Sequence, residues 1–560
     1  MNRCAKLIVF LSLFSAVFSE SLLNLMDTEL KRNMEIIGKP SKENGDSVYF
    51  LRYEVFDREE YSFSATDGSI MSPKRNDSHN RYLNVDLRMG DYRRDNSHIL
   101  RESYEWSGSK YIELPLEGDD ATRHAIWVAT DNSQAKAQQK LLKVRANLAV
   151  KVEEEDTSDD FSKESPAKYE GEIYKLSIDT IAVQNLLREV SQVFKEYPEL
   201  IDRQVRLSEE VVTRYIVNSE GTRIRESSYK ILMAISAISK ADDGMEFFLY
   251  HDFCASNLNE LPGKDSLITE ARNIAATLIA FKKAPLVEPY VGPAMLEPEA
   301  ASVFFHEIFG HRLEGHRLKD IEQGQTFKKK VGESVLPKFI SVEFDPTKKY
   351  FEKTALVGHY LYDDEGVSAR PVTIVDHGVL KGFLMSRTPV EGFHNSNGHG
   401  RCSQGRDVVS RQSNLFVIAH ETHTPDELRK MLVAECKKQG KEFGLLFKEV
   451  AGGFTIQATY APQVFEVIPL LVYKVYIDNR PDELVRGVDI VGTPLTCFEN
   501  IIAAGNDLGA FNGYCGAESG MIPVSAVSPT LLISKLEVQR KYREQNRPPI
   551  LPAPETDKEE

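Results

Sequence analysis

The sequence lacks a surplus of positive charge. Its 69 Lys and Arg stand against 84 Asp and Glu, for a formal net charge of −15 and a pI near 5.5. Proteins that track phosphate backbones concentrate Lys and Arg to displace counterions, so no nucleic acid is expected as a partner. An apolar run of membrane-spanning length is missing as well: the stretch Leu7 to Phe18 falls short of the ~20 residues that cross a bilayer as a helix. No stable membrane anchor is expected. There is no long internal repeat. Cysteine is scarce, and one of the six, Cys4, lies ahead of the apolar run. The other five, an odd number, leave at least one thiol over, either as a free buried cysteine or as a ligand, and counting alone does not say which.

What is present points to a folded, exported chain. With 560 residues, 41% of them hydrophobic, it is long enough for two or three domains with cores of their own. Residues 1–19, a basic start followed by Leu7 to Phe18 and then Ser19, read as a secretory signal peptide, which places the mature protein outside the cytoplasm, secreted or periplasmic. Behind it, Leu22, Leu25, Met26, Leu30, Met34 and Ile37 recur at helical spacing up to Gly38 and Pro40. From Ser47 to about Leu87 the pattern alternates, and Asp67-Gly68 marks a hairpin. Residues 152–168, rich in acids with Ser and Pro, read as a solvated loop. A second helix starts near Ser177 or Asp179, a meander of strands follows, and a third helix runs from about Ser266 to Lys283 before Pro285.

This ordering predicts an α+β fold. Residues 20–284 form an N-terminal domain of helices with antiparallel sheets, and the proline-rich stretch Pro285 to Pro298 marks the boundary. Residues 285–546 form a mainly β C-terminal domain carrying a single site-bearing helix, and residues 547–560, rich in Pro and charge, form a disordered tail.

The chemistry concentrates in residues 304–317, FFHEIFGHRLEGHR, where His306-Glu307 is followed by His311. Two histidines and an acid this close form a metal-ligand signature, with Glu307 placed as a general base. On an ideal α-helix, residues five apart point about 140° away from each other. The spacing therefore predicts a widened, π-like turn at residues 308–311, with Gly310 easing the irregular backbone.

Further motifs accompany this one: Leu313-Glu314-Gly315, Asp363-Asp364-Glu365-Gly366, Gly378-Val379-Leu380-Lys381-Gly382, and Gly513-Tyr514-Cys515-Gly516 followed by Pro523-Val524 and Pro529-Thr530-Leu531. In these the chain resembles the TldD/PmbA family of zinc metallopeptidases, from about residue 285 to 540. The resemblance implies that Zn²⁺ is held by His306, His311 and Cys515, with an open fourth position for water, and Gly513 and Gly516 would leave the thiolate room to approach. It implies a peptidase acting on small or unfolded peptides in an internal cavity, as a homodimer or as a heterodimer with another family member. The sequence departs from the family pattern at His316, where many members carry an acid, which opens the choice between an extra ligand and an ordinary polar residue. The secretory signal is also unusual for the family. In the Gly-rich segment FHNSNGHGR, His399, Arg401 and His394 are candidate donors to the substrate. The competing readings are a non-catalytic partner subunit and a peptide-binding protein; the presence of His306, Glu307, His311 and Cys515 together favours the active kind.

Overall fold

The computed structural model describes residues 21–40, 46–71, 76–99, 111–150, 156–320, 323, 325–456, 465–492 and 494–541. The signal peptide of residues 1–19 and the tail of residues 547–560 lie outside the described residues. Helices and two large sheets build the chain, in keeping with the α+β class expected from the pattern. No helix among the described residues is long and apolar enough to cross a membrane.

The first helix, α1 (Leu22–Ile37), is capped by Ser21, whose side chain accepts from the Asn24 N–H, and it buries Leu23, Leu25, Met26 and Leu30. The long strands of the first sheet are β1 (Val48–Thr66), β2 (Asn76–Met89), β3 (Asp202–Asn218), β4 (Arg223–Lys240) and β5 (Glu246–Ala255). They lie in the order β2-β1-β3-β4-β5, every pair antiparallel. Asp67 and Gly68 take positive φ at the turn that ends β1, as the Asp-Gly step predicts. Helix α2 (Asp119–Val150) precedes β3. So does helix α3 (Thr180–Gln192), which begins at Asp179, whose carboxylate accepts from the Ile181 and Ala182 N–H groups. Helix α4 (Lys264–Lys283) buries Leu267, Ala271, Ile274, Ala275 and Leu278. Helices α3 and α4 share one core with Val205, Leu207, Met233 and Ile235, which covers one face of the first sheet. Alternation along β3 and β4 turns the intervening residues to the other face.

The second sheet draws on residues from 290 onward: β6 (Tyr290–Leu296), β7 (Ile340–Phe344), β8 (Asn414–Ala419), β9 (Phe443–Thr455), β10 (Phe465–Tyr476), β11 (Val488–Gly492), β12 (Ile501–Ala517) and β13 (Gly520–Arg540). Strand β13 pairs with β11, β11 with β10, β10 with β9, β9 with β6, and β6 with β13, so these five close on themselves. Helix α5 (Pro298–Ile308), started by a proline in its first turn, has Ala300 through Ile308 all buried. Phe304 and Phe305 meet Phe498 edge-on or tilted, and Phe304 also meets Phe465.

One expected loop is solvated only in part, with Thr157, Asp159 and Lys163 exposed and residues 152–155 outside the described residues. Within residues 156–168, Asp156, Asp160, Phe161 and Ser162 are buried. Asp160 accepts from the His98 ring nitrogen at 2.7 Å, and the Arg387 guanidinium lies 3.9 Å over the Phe161 ring while it donates to the Ser162 carbonyl. The acids that read as solvent-seeking are held by cations and donors far away in the chain, which no local pattern reveals.

Candidate metal centre and cleft

Helix α5 breaks where a widened turn was expected. It ends at Ile308, with Phe309 at φ −105° and ψ −54° and a 3₁₀ segment over Gly310–Leu313. The last α-type bond runs from Phe309 N–H to the Phe305 carbonyl, and the next, Arg312 N–H to the Phe309 carbonyl, is already tighter. The turn therefore narrows rather than widens, and His311 is carried by the new segment. Gly310 does not need a positive φ. A Cβ there would overlap the carboxamide of Gln412, whose Nε2 donates to the His306 carbonyl at 3.2 Å. The glycine serves the close approach of a distant connecting segment, not an irregular helix.

His306, His311 and Cys515 are brought together, with one ligand atom of each within 4.8 Å of the others and all three buried. The imidazoles of His306 and His311 meet edge-on, with centroids 5.1 Å apart. Cys515 arrives on β12, its Sγ 3.3 Å from His311 Nε2. A Cβ on Gly516 would press on Met521 and one on Gly513 on Phe511, so these glycines relieve their own hairpin rather than the thiol's approach.

The groups behind the donors set their charge and direction. Fully buried Glu314 faces His311 Nδ1 at 3.2 Å and is paired with Arg317 at 2.8 Å and Arg411 at 3.2 Å. Despite burial, His311 and the two arginines hold the Glu314 carboxyl far below the usual range. Its carboxylate takes the Nδ1 proton of His311 as a hydrogen bond and leaves Nε2 toward Cys515. Burial alone would raise the Cys515 thiol, but His311, His306 and Arg411 hold it well below its ordinary value. Arg411 donates to the Cys515 Sγ at 3.1 Å and to its carbonyl at 2.8 Å. His311 is correspondingly raised: desolvation disfavours its cation, yet Cys515 and Glu314 outweigh that.

Glu307 lies beside this trio, its Oε2 3.8 Å from His311 Nε2. Burial pushes its carboxyl up, against the opposing pull of His306 and His311. Gly453 on β9 makes room for it, since a Cβ there would stand 2.7 Å from Glu307 Cγ. His306 and Glu307 line a cavity of about 580 Å³ between the two sheets, with Gly452 and Gly453 from one side and Arg206, Ser236 and Asp252 from the other. Tyr250 ties the sheets together by donating to the Ala451 carbonyl at 3.2 Å.

Other expected site residues fall elsewhere. His399 is fully buried, with Nε2 3.0 Å from Ser413 Oγ and Nδ1 3.1 Å from Asn397 Oδ1. Burial lowers its pKa to about 3. Arg401 donates to the Gln412 and Pro523 carbonyls at 2.7 and 2.9 Å. Neither lines the cavity, and His394 is exposed and also outside it. The Gly-rich segment is not a flexible lining loop, because Gly400 and Arg401 pair with Ser410 and Val409 as a short buried ladder. His316 pairs with Glu518 and is not among the three clustered donors. Asp364 pairs with Arg214 of β3, which makes the acidic motif a loop fastened to the first sheet. Glu314, Arg411, Gly453 and Arg206 have roles that their own spacing does not announce; only the Leu-Glu-Gly motif singles out Glu314.

The donor set fits a metal. Two imidazoles and a cysteine held as thiolate suit zinc, one histidine is already oriented by a carboxylate, and three protein ligands leave a coordination position open. Beside these donors a buried glutamate stands at the wall of the cavity. The chain belongs to the TldD/PmbA family: residues 290–540 match the family model described as the PmbA/TldA metallopeptidase C-terminal domain, and residues 173–278 match the central domain. A metalloprotease of Archaeoglobus fulgidus is 28% identical over 368 residues, covering 64% of this chain and 79% of the relative. One of Methanocaldococcus jannaschii is 25% identical over 56% of this chain and 64% of its own length. A zinc metalloprotease TldD homolog of Saccharolobus solfataricus is 20% identical over 64% and 75%. Among solved structures, a Thermotoga maritima protein named for modulation of a DNA gyrase superposes with a TM-score of 0.60 at 16% identity, over 91% of this chain and 99% of that one. TldE from Thermococcus kodakarensis gives 0.59 at 10% identity, over 92% and 100%. At these identities the superpositions speak for the fold alone.

Proposed function

We propose that the chain is a zinc-dependent peptidase that hydrolyses small or unfolded peptides in the cleft between its two sheets. The observation that carries this reading is the convergence of His306, His311 and Cys515 beside Glu307, with His306 and Glu307 lining a cavity of about 580 Å³. A relative named as a zinc metalloprotease supports zinc as the metal. When bound, the ion supplies Lewis acidity toward the substrate carbonyl and lowers the pKa of a water in its open position toward about 7.

The protein's own residues do the rest. Glu307 accepts the water proton on a carboxylate oxygen and passes it to the leaving amine; burial makes it more basic than an exposed glutamate, which suits that task. Glu314 keeps His311 Nε2 turned toward the donor cluster, and Arg411 steadies the Cys515 thiolate. A cavity of this size supports an extended peptide rather than a folded protein as substrate.

Export and pairing belong to the same proposal. The run Leu7 to Phe18 supports removal of a signal peptide and delivery outside the cytoplasm, to be tested by N-terminal sequencing of the mature protein. Family membership supports a homodimer or a heterodimer with a second family member, to be tested by sedimentation.

Activity is tested with Glu307→Gln, which preserves shape but cannot take up the proton. Zinc content by atomic emission should match the wild type while hydrolysis of an unstructured peptide library falls about 10²- to 10⁴-fold. Residual activity within tenfold of wild type would remove Glu307 as the base. No hydrolysis by the zinc-loaded wild type would favour a non-catalytic partner subunit or a peptide-binding protein.

A further inference from the structure

The cleft has a floor as well as a catalytic wall. Val205 and Leu207 of β3 enter the core under the first sheet, so Gln204 and Arg206 face the cleft, which both line. Arg206 is paired in register with Ala234 of β4, and Ala234 with Asp252 of β5. Directly paired residues project to the same face, and neighbouring strands lie 4.7–4.9 Å apart, so a cation and an anion stand about 10 Å apart in one row. Only the methyl of Ala234 separates them. Neither Arg206 nor Asp252 has a side-chain hydrogen bond or ion pair among the described residues.

This floor faces His306 and Glu307 across the cavity. Apart from Arg206 and His306, the charged groups lining it are Asp252 and Glu307, both acids, and the whole chain carries a formal −15. On the floor, away from the metal donors, a carboxylate meets one cation, the Arg206 guanidinium, and one repelling acid, Asp252. That guanidinium has its donors free, in the planar fork that holds a carboxylate by two parallel hydrogen bonds. Attraction at one point and repulsion at another is how a site discriminates.

We infer that Arg206 is the specificity-determining residue of the cleft, selecting peptides that present a carboxylate to the floor, an inference that rests on the peptidase reading above. The carboxylate comes from an Asp or Glu side chain or from the peptide's own C-terminus. Asp252, on the far side of Ala234, disfavours a second acid there and so fixes which way round the peptide lies.

The test uses the full-length zinc-loaded protein and four versions of one unstructured peptide: with Glu and a free C-terminus, with Glu replaced by Gln, with Glu replaced by Lys, and with the C-terminus amidated. Wild type should favour the carboxylate-bearing peptide over one of the neutralised versions by at least about tenfold in kcat/KM, the range of a charge-assisted hydrogen bond. The version that loses rate identifies the source of the carboxylate. In Arg206→Gln that ratio should fall to within threefold of unity, and in Arg206→Glu it should invert in favour of a Lys-bearing peptide. A structural role would not reverse a preference. Unchanged ratios in both variants, with melting curves like the wild type, would overturn the inference. If no peptide is cleaved, the peptidase reading fails on its own, and fluorescence anisotropy of the same labelled peptides still decides the matter. Binding that is stronger for the carboxylate peptide and lost in Arg206→Gln supports it; binding indifferent to both changes overturns it.

Discussion

At the scale of single residues, the five described cysteines share a type but not a chemistry. All five are free. Burial pushes the Cys254 and Cys436 thiols up to about 11 and Cys497 to about 12, and raises Cys402 well above its ordinary value. Cys515 alone is shifted down, because two histidines and Arg411 outweigh its burial. Since the thiolate is the reactive form, iodoacetamide should leave the zinc-loaded protein unlabelled at Cys515 and modify that cysteine first after chelation. Peptide mass mapping reads the result. Equal labelling in both states, or a disulfide at Cys515 in active protein, would count against ligation.

At the scale of elements, the helices with one apolar stripe and a recognisable start or stop are legible in the sequence: α1 before Gly38, α3 after Asp179, and α4 before Pro285. Helix α2, at 32 residues, shows no such stripe. It buries Ile126, Ala129 and Leu141 yet exposes Trp127, Val128 and Leu142. The end of α5 was misread for a different reason. Helical arithmetic accounts for residues 306–311 by themselves, whereas the turn is shaped by Gln412, a hundred residues further on. A double-mutant cycle tests this. Gly310→Ala should weaken zinc binding about fivefold or more, as overpacking of about 1–3 kcal/mol implies, while Ile308→Val should change it little. Gln412→Ala should recover part of the loss, a coupling that isothermal titration can measure. Wild-type affinity in Gly310→Ala would show that Gln412 can yield, and that close approach is not why the position is glycine.

At the scale of the whole molecule, the site exists only because two sheets are held face to face. Arg214 on β3 pairs with Asp364 and also with Glu226, and Arg387 pairs with Glu220. His399 lies in the same packed region, sealed as a neutral ring. Its folded pKa of about 3 lies below the ~6.5 of an unfolded histidine, so the unfolded chain binds a proton first as pH falls. Its contribution is fully present above pH 6.5 and is lost progressively between pH 6.5 and about 3, at up to ~1.4 kcal/mol per pH unit. Read by urea unfolding, the wild type should lose about 1.6 kcal/mol relative to His399→Gln between pH 6.5 and 5. Parallel slopes in the two proteins would assign the acid sensitivity elsewhere.

Periodicity and punctuation in the sequence determined what is local: the α+β class, the Asp67-Gly68 hairpin, three helices, and the nearness of His306, Glu307 and His311 along the chain. Each depends on contacts within a few residues, where backbone geometry alone relates spacing to direction. The arrival of Cys515 from 204 positions beyond His311 was legible only through a family motif. The tertiary structure alone decided the arginine against Cys515, the glycine that admits Glu307, and the charged floor under the cleft. These pairings join groups from separate strands and helices. They follow from the packing and register of the two sheets together, which no window along the chain contains.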